Sequence, residues 1–179
     1  FYILGSGSPT ITVGGDLIFM TNPARELYFG SSNSAQNFTI DLKGDLLIDT
    51  DLNNYHYLYA NINFIGTTDQ TITANSGSIN GGTWTVNKAS GNISLATDLI
   101  GSQNFTLTQG TVLIGDYNFT CNTFTQTAGT FTGGSGTITT AGFTQNSGIF
   151  TSSSTLTING AFTQNGGAFT APTGTMTVK

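Results

Sequence analysis

The chain contains three versions of one phrase: FTQTAGTFT at 124–132, FTQNSGIFT at 143–151 and FTQNGGAFT at 162–170. Their first residues are Phe124, Phe143 and Phe162, and the two intervals are equal, with 143 − 124 = 19 and 162 − 143 = 19. A fixed internal period is typical of repeat proteins, in which each short unit packs on the next. The period therefore decides the fold class before any other feature is considered.

Alignment on this period places like residues in columns. An aromatic column with Val86 at its head continues through Phe105, Phe124, Phe143 and Phe162. A second apolar column contains Ile93, Val112, Phe131, Phe150 and Phe169. The glycine column contains Gly91, Gly110, Gly129, Gly148 and Gly167. A fourth column contains Ile100, Phe119 and Ile138, and continues through Leu156 or Ile158 to Met176.

Within each repeat, apolar residues alternate with Thr, Ser or Asn, as in GTITT at 136–140 and STLTING at 154–160. This period of two indicates strands with one buried face, and the shared glycine indicates a corner. So short a unit cannot enclose its own core, and a propeller blade needs about 40 residues. The pattern predicts an all-β, single-stranded β-solenoid resembling a parallel β-helix.

The first half repeats at a wider interval. ITVGGDLIF at 11–19 matches IDLKGDLLI at 40–48, an offset of 40 − 11 = 29. We therefore predict one continuous solenoid over residues 1–179, with wider, irregular coils in 1–80 and regular coils of about 19 residues in 81–179.

One column is chemically mixed, because Leu107 is followed in register by Gln126, Gln145 and Gln164. Such a position is either a half-exposed corner or an internal ladder of amides. The sequence slightly favours the corner.

Composition excludes several classes of function. Only 7% of residues are charged, the net charge is −5, and four basic residues are too few for a phosphate-binding surface, which argues against nucleic-acid binding. No apolar run approaches the ~18–20 residues of a membrane span. Cys121 is the single cysteine, so no intrachain disulfide forms. Abundant Thr, Asn and Gly with few charges suggests an extracellular or cell-surface protein.

The carboxylates with the best spacing for chemistry are Asp41, Asp45, Asp49 and Asp51. They alternate with apolar residues, so most could share one outward face. We interpret that face as solvated, with a weak Ca²⁺ site and a catalytic pair as the lesser alternatives. The sequence thus predicts no enzyme activity, no cofactor and no other metal site. Tyr55, Tyr57 and Tyr59 leave stacking on a surface polysaccharide open.

Thr-x-Thr triplets recur, and regular ranks of outward threonines are what ice-binding β-solenoids present. The simpler interpretation is that Thr suits exposed strand positions. Two observations count against ice binding. The intervals between Thr137, Thr155 and Thr175 are unequal, with 155 − 137 = 18 and 175 − 155 = 20, and Ser, Gly and Asn interrupt the ranks.

Stretches such as NFTLTQGTVLIGDYNFTCNTFTQTAGTFTGGSGTIT at 104–139 and GAFTQNGGAFTAPTGTMTV at 160–178 resemble the β-strand-repeat surface proteins of bacteria. These are long secreted chains, loosely similar to filamentous-haemagglutinin-type adhesins. The resemblance covers residues 66–179 well and the first third weakly. It implies a β-solenoid and an extracellular location, and it contributes no catalytic residues.

Neither FYIL at the start nor APTGTMTVK at the end reads as a cap, so we expect more chain or another subunit beyond each. The expected function is a structural module of a surface fibre, sheath or filament that stacks axially, as a homo-polymer or within a longer chain. Alternatives are an adhesin stalk with its binding tip elsewhere, and an ice-binding or carbohydrate-active solenoid.

Overall fold

The computed structural model is an all-β fold in which every pairing between the described strands is parallel. It describes residues 9–20, 38–49, 60–75, 79 and 81–179, together with the backbone of 27–29 and 56–58. Seventeen of the described strands form one sheet, which winds through stacked coils. The predicted β-solenoid, with its short regular coils in the C-terminal half and wider coils before them, is confirmed.

The strands stack in three series, which we call the first, second and third faces. The first face contains β1 (Thr10–Val13), β4 (Thr39–Leu42), β7 (Asn61–Phe64), the starts of β9 (Thr83–Leu95) and β11 (Asn104–Gly115), the ends of β12 (Phe119–Gln126) and β14 (Thr137–Gln145), and β17 (Phe162–Gln164).

The second face contains β2 (Leu17–Met20), β5 (Leu46–Asp49), β8 (Gln70–Ala74), the ends of β9 and β11, β13 (Thr130–Gly133), β15 (Ile149–Thr151) and β18 (Ala168–Thr170). The third face contains β10 (Leu99–Ile100), the starts of β12 and β14, β16 (Thr155–Ile158) and β19 (Met176–Val178). β3 (Leu27–Phe29) and β6 (His56–Leu58) pair in a separate sheet.

Coil length shortens along the chain, as successive partners on the first face show. Consecutive coils share one register position, which is occupied by Ile11, Ile40, Ile62, Trp84, Phe105 and Phe124. The intervals are 40 − 11 = 29, 62 − 40 = 22, 84 − 62 = 22, 105 − 84 = 21 and 124 − 105 = 19.

Two predicted column members are wrong for this reason. The residue opposite Phe105 in the preceding coil is Trp84 and not Val86, because that coil is longer than the later ones by two positions. Likewise, Leu99 and not Ile100 lies opposite Phe119, because that coil is longer by one position. After Ile138 the column continues through Leu156 to Met176.

The five glycines of the repeat lie at one stacked corner between the first and second faces. Gly91, Gly110, Gly129, Gly148 and Gly167 have φ of +71°, +99°, +77°, +85° and +85°. The corner is also crowded, because a Cβ on Gly148 would lie 2.3 Å from the carbonyl oxygen of Gly129. Positive φ and close stacking together require glycine at this position.

Two stacks of phenylalanine rings fill the regular coils. Phe124 and Phe143 lie parallel with centroids 5.3 Å apart, and Phe131 and Phe150 repeat this geometry at 5.1 Å. The stacks also meet edge to face, for example Phe143 and Phe150 at 4.8 Å and 77°. Both geometries are favourable for aromatic pairs, so each ring is supported along and across the axis.

Gly148→Ala should destabilise the protein by more than ~1–2 kcal/mol, because the new Cβ meets both the positive φ and the Gly129 carbonyl. Gly142→Ala is the matched control, since the nearest atom to its new Cβ would be 3.8 Å away. Urea unfolding of both variants measures the difference. Equal stabilities would contradict the corner assignment.

Phe143→Ala should cost ~3–5 kcal/mol, since the ring is 1% exposed and contacts rings in the coils on both sides of its own. Phe162→Ala should cost clearly less, because Phe162 has the same register in the last coil but is only half-buried. Thermal or urea unfolding compares the two. A larger loss for Phe162→Ala would argue against the stacked core.

Candidate functional site

The acidic residues form hydrogen bonds between coils at the corners. Asp16 Oδ1 accepts from the Asp45 amide at 2.9 Å, Asp45 Oδ1 from the Thr71 amide at 2.7 Å, and Asp69 Oδ1 from the Asn92 amide at 2.8 Å. In each pair the carboxylate accepts a hydrogen bond from a backbone amide of the following coil. Backbone N–H groups at corners fall outside the strand ladder, and these carboxylates satisfy them.

Two later acids repeat the arrangement. Asp98 accepts from the Asn118 amide and side chain, both at 2.9 Å, and Asp116 accepts from Ser135. These hydrogen bonds lower the pKa of the Asp98 and Asp116 carboxyls from the ordinary value. The acids are thus charged bracing groups at the corners of the solenoid.

The predicted acidic cluster is spread over different partners. Asp41 accepts from Asn63 Nδ2 at 2.7 Å, and Asp49 from Asn75 Nδ2 at 3.0 Å, while Asp45 binds the Thr71 backbone as above. Asp51 lies outside the described residues. Within the part of the chain that the structure describes, no three His, Cys, Asp or Glu side chains come together as metal ligands.

A buried lysine occupies the glycine corner one coil before the regular repeats. Lys88 is 1% exposed, and its Nζ donates to the carbonyl oxygens of Gly66 and Thr68 at 2.6 and 2.8 Å and to Gln70 Oε1 at 2.7 Å. Gln70 in turn accepts from the Gly66 amide and donates to the carbonyls of Leu42 and Gly44. All three N–H donors of the Lys88 ammonium group are hydrogen-bonded. Lys88 and Gln70 therefore link the backbone carbonyls of this corner to one another.

Lys88 is not among the residues predicted above, although the sequence carries a signal for it. Trp84 and Val86 point inward on β9, and Lys88 continues their alternation by two residues. An inward position held by a charged residue indicates a buried donor with several acceptors. Burial lowers the pKa of Lys88 from its ordinary value of 10.5, and the Asp69 carboxylate partly opposes the shift.

Gln126 and Gln145 form neither of the two predicted structures, whereas Gln164 in the last coil is exposed. Gln126 and Gln145 are fully buried, so the half-exposed corner is wrong for them. Each Nε2 donates to two carbonyl oxygens: Gln126 to Gly129 and Ile149, and Gln145 to Gly148 and Ala168. Hydrogen bonds between glutamine amides do not stabilise this column, because the Oε1 atoms of Gln126 and Gln145 have no partner among the described residues. The amides brace the same corner that Lys88 braces earlier.

Cys121 and the aromatic segment at 55–59 offer no described reactive site. Cys121 is buried, its Sγ donates to Thr140 Oγ1 at 3.7 Å, and burial raises the pKa of its thiol to about 12. Such a thiol stays protonated at neutral pH and is a poor nucleophile. The side chains of Tyr55, His56, Tyr57 and Tyr59 lie outside the described residues.

The third face carries paired threonines in register over several coils. Thr137 lies opposite Thr155, and Thr139 lies opposite Thr157. Thr157 lies opposite Thr177, and Leu156 opposite Met176, which sets Thr175 beside Thr155. Thr120 extends the second rank backward, opposite Thr139. We call these seven residues the threonine face.

The unequal sequence intervals between Thr137, Thr155 and Thr175 do not disturb this register. Thr132, Thr151 and Thr170 share one register position on the second face. From there to the threonines of the third face, the intervening segments are 133–136, 152–154 and 171–174, so the middle one is one residue shorter. The corner after the third face spans 141–142 and then 159–161, so its second version is one residue longer. The residue missing before the third face in the middle coil is thus compensated by the extra residue after it. The unequal intervals therefore do not count against ordered threonine ranks, and that expectation from sequence is wrong.

The last coil presents a strand edge that repeats the edge of the coil before it. Phe143 N–H donates to the Ala161 carbonyl, the Gly148 carbonyl accepts from Ala168, and Leu156 N–H donates to the Thr175 carbonyl. Phe162, Gly167 and Met176 hold the same register positions one coil later. Within the described residues, β17, β18 and β19 pair on one side only.

Comparison with known proteins adds no assignment: no family model, no curated protein and no solved structure matches the chain. In the residues that the structure describes, no helix has the length and apolar character needed to cross a bilayer.

Stability should rise with pH because of Lys88. Its folded pKa lies below 10.5, so between the two pKa values the unfolded state binds more protons and the free energy of unfolding increases with pH. Wild type should therefore gain stability relative to Lys88→Met as pH is raised toward 10.5.

Urea unfolding across that range measures this difference. Lys43→Met, at an exposed lysine, controls for the loss of one positive charge. A difference between wild type and Lys88→Met that stays constant, or shrinks as pH rises, would contradict burial of the ammonium group.

Proposed function

We propose that this chain is a structural module of an extracellular or cell-surface fibre, sheath or filament, in which coils of this kind stack axially. The observation that carries the proposal is that the outer edge of the last coil repeats the edge pattern of the coil before it. The edge positions that bind the last coil to its predecessor recur on the last coil's own outer edge, at Phe162, Gly167 and Met176. A further coil with the same pattern therefore fits there.

The apolar part of this edge supports the same proposal. Phe162 and Phe169 are half-buried, whereas Phe143 and Phe150 in the preceding coil are 1% and 0% exposed. Another coil would cover these rings and extend both ring stacks. Open strand edges with exposed apolar residues are sites where β-structures pair with further chain. We propose that such a coil is supplied within a homo-polymer or within a longer chain of this type.

The mechanism we infer is mechanical. Pulling a coil from the stack breaks its backbone ladder and separates its rings from neighbours on both sides. The described acids brace adjacent coils, so the proposal gives them no catalytic role. The extracellular location rests on the low charge, the abundance of Thr and Asn, and the resemblance to secreted repeat proteins.

A proline at the open edge tests axial stacking. Leu156 N–H donates to the following coil, and Met176 has the same register, so the Met176 N–H faces outward. Proline lacks this donor and is tolerated where an edge N–H faces solvent. Met176→Pro should therefore block addition of a coil and leave thermal stability nearly unchanged.

Electron microscopy and light scattering of the purified chain measure the effect. We expect elongated particles for wild type and short, dispersed ones for Met176→Pro. Thr177→Pro is the control: its N–H faces back toward β16 by strand alternation, so it should lower stability as well. Dispersed monomers of wild type, or equal assembly of Met176→Pro, would overturn the proposal.

A further inference from the structure

The threonine face differs from the other two faces in both of its outward ranks. On the second face, Leu113 and Ile149 interrupt the threonines. On the first face, one rank is continuous, but the positions adjacent to it include Asn104 and Gly142. That continuous rank consists of Thr106, Thr125, Thr144 and Thr163. Among the described strands, the third face alone sets two threonines side by side in three consecutive coils, at 137/139, 155/157 and 175/177.

The backbone fixes the spacing of these hydroxyl and methyl groups. Neighbouring coils are about 4.8 Å apart, and alternate residues along a strand are about 6.6 Å apart. A lattice with these two repeats lies close to the spacing of oxygen atoms on the surfaces of ice. Water molecules held between the ranks would therefore match the crystal and continue its lattice.

Rigidity favours such a match. Threonine has few χ1 states because it is β-branched, and here each residue is flanked by threonines above or below. Two of the residues between the ranks, Ile138 and Leu156, are 1% and 0% exposed and anchor their strands in the core, while Met176 in the last coil is 37% exposed. A surface that is already ordered loses little conformational entropy when it binds an ordered partner.

The lack of charged side chains on the threonine face also favours a match to a regular water lattice. The sequence contains no Asp, Glu, Lys, Arg or His between Asp116 and Lys179. Ionised groups hold their own hydration shells strongly, and those shells do not fit a regular water lattice. A face of hydroxyl and methyl groups binds water without imposing such a shell.

We propose that the threonine face binds ice through a layer of ordered water held between its two ranks. This activity is distinct from axial stacking, and each would survive failure of the other. Stacking would lengthen the ranks, because every added coil of this pattern adds another pair of threonines.

The test is thermal hysteresis of the purified chain, together with its incorporation into a growing ice hemisphere. Wild type should show hysteresis above that of serum albumin at equal concentration and should enter the ice. Thr157→Tyr places a bulky ring in the centre of the face and should reduce both signals to the albumin level. Thr151→Tyr places the same ring on the second face of the same coil and should leave them unchanged.

Circular dichroism and thermal melting show that the variants are folded, and Thr139→Tyr with Thr132→Tyr provides a second matched pair. Wild-type hysteresis equal to that of albumin overturns the proposal, as does an equal loss in Thr151→Tyr. Binding to crystalline cellulose without hysteresis would overturn it in favour of a polysaccharide surface. Lateral self-association without hysteresis, abolished by Thr157→Tyr, would overturn it in favour of a second copy.

Discussion

Parallel backbone pairing between consecutive coils is the constraint on which the rest of this structure depends. It sets each residue beside its counterpart one coil away, at about 4.8 Å. Side chains at one position must therefore tolerate a near copy of themselves at that distance. Stacked Phe124 and Phe143 satisfy this with offset rings, and Gly129 and Gly148 satisfy it by having no side chain. Repetition in the sequence is the consequence of this geometry.

The corners present the harder problem, since their backbone groups leave the strand ladder. The protein uses three kinds of side chain there. Carboxylates such as Asp45 accept corner amides, while Lys88 and the buried amides of Gln126 and Gln145 donate to corner carbonyls. Lys88 donates three hydrogen bonds at the corner of a wide coil, whereas Gln126 and Gln145 each donate two at the corners of shorter coils. Lys88, Gln126 and Gln145 thus brace the fold from within the described core.

The same stacking governs the surfaces. Because faces are defined by pairing and corners vary in length, outward residues can align although their sequence intervals differ. Thr137, Thr155 and Thr175 show this, since they form one common rank in spite of unequal intervals. A surface pattern read at one fixed period would therefore miss the most regular face of the molecule. Both the open edge and the threonine face arise from this stacking.

The sequence by itself determined the solenoid class, the length of the regular coil, the aromatic columns and the glycine corner, because identical residues at a fixed interval have one simple packing. It could not determine where Trp84 and Leu99 enter their columns, since their coils are longer than the later period. Nor could it decide that Gln126 is buried or that Asp41, Asp45 and Asp49 have separate partners. Those outcomes depend on which groups the corners bring together, and only the tertiary structure sets the corners.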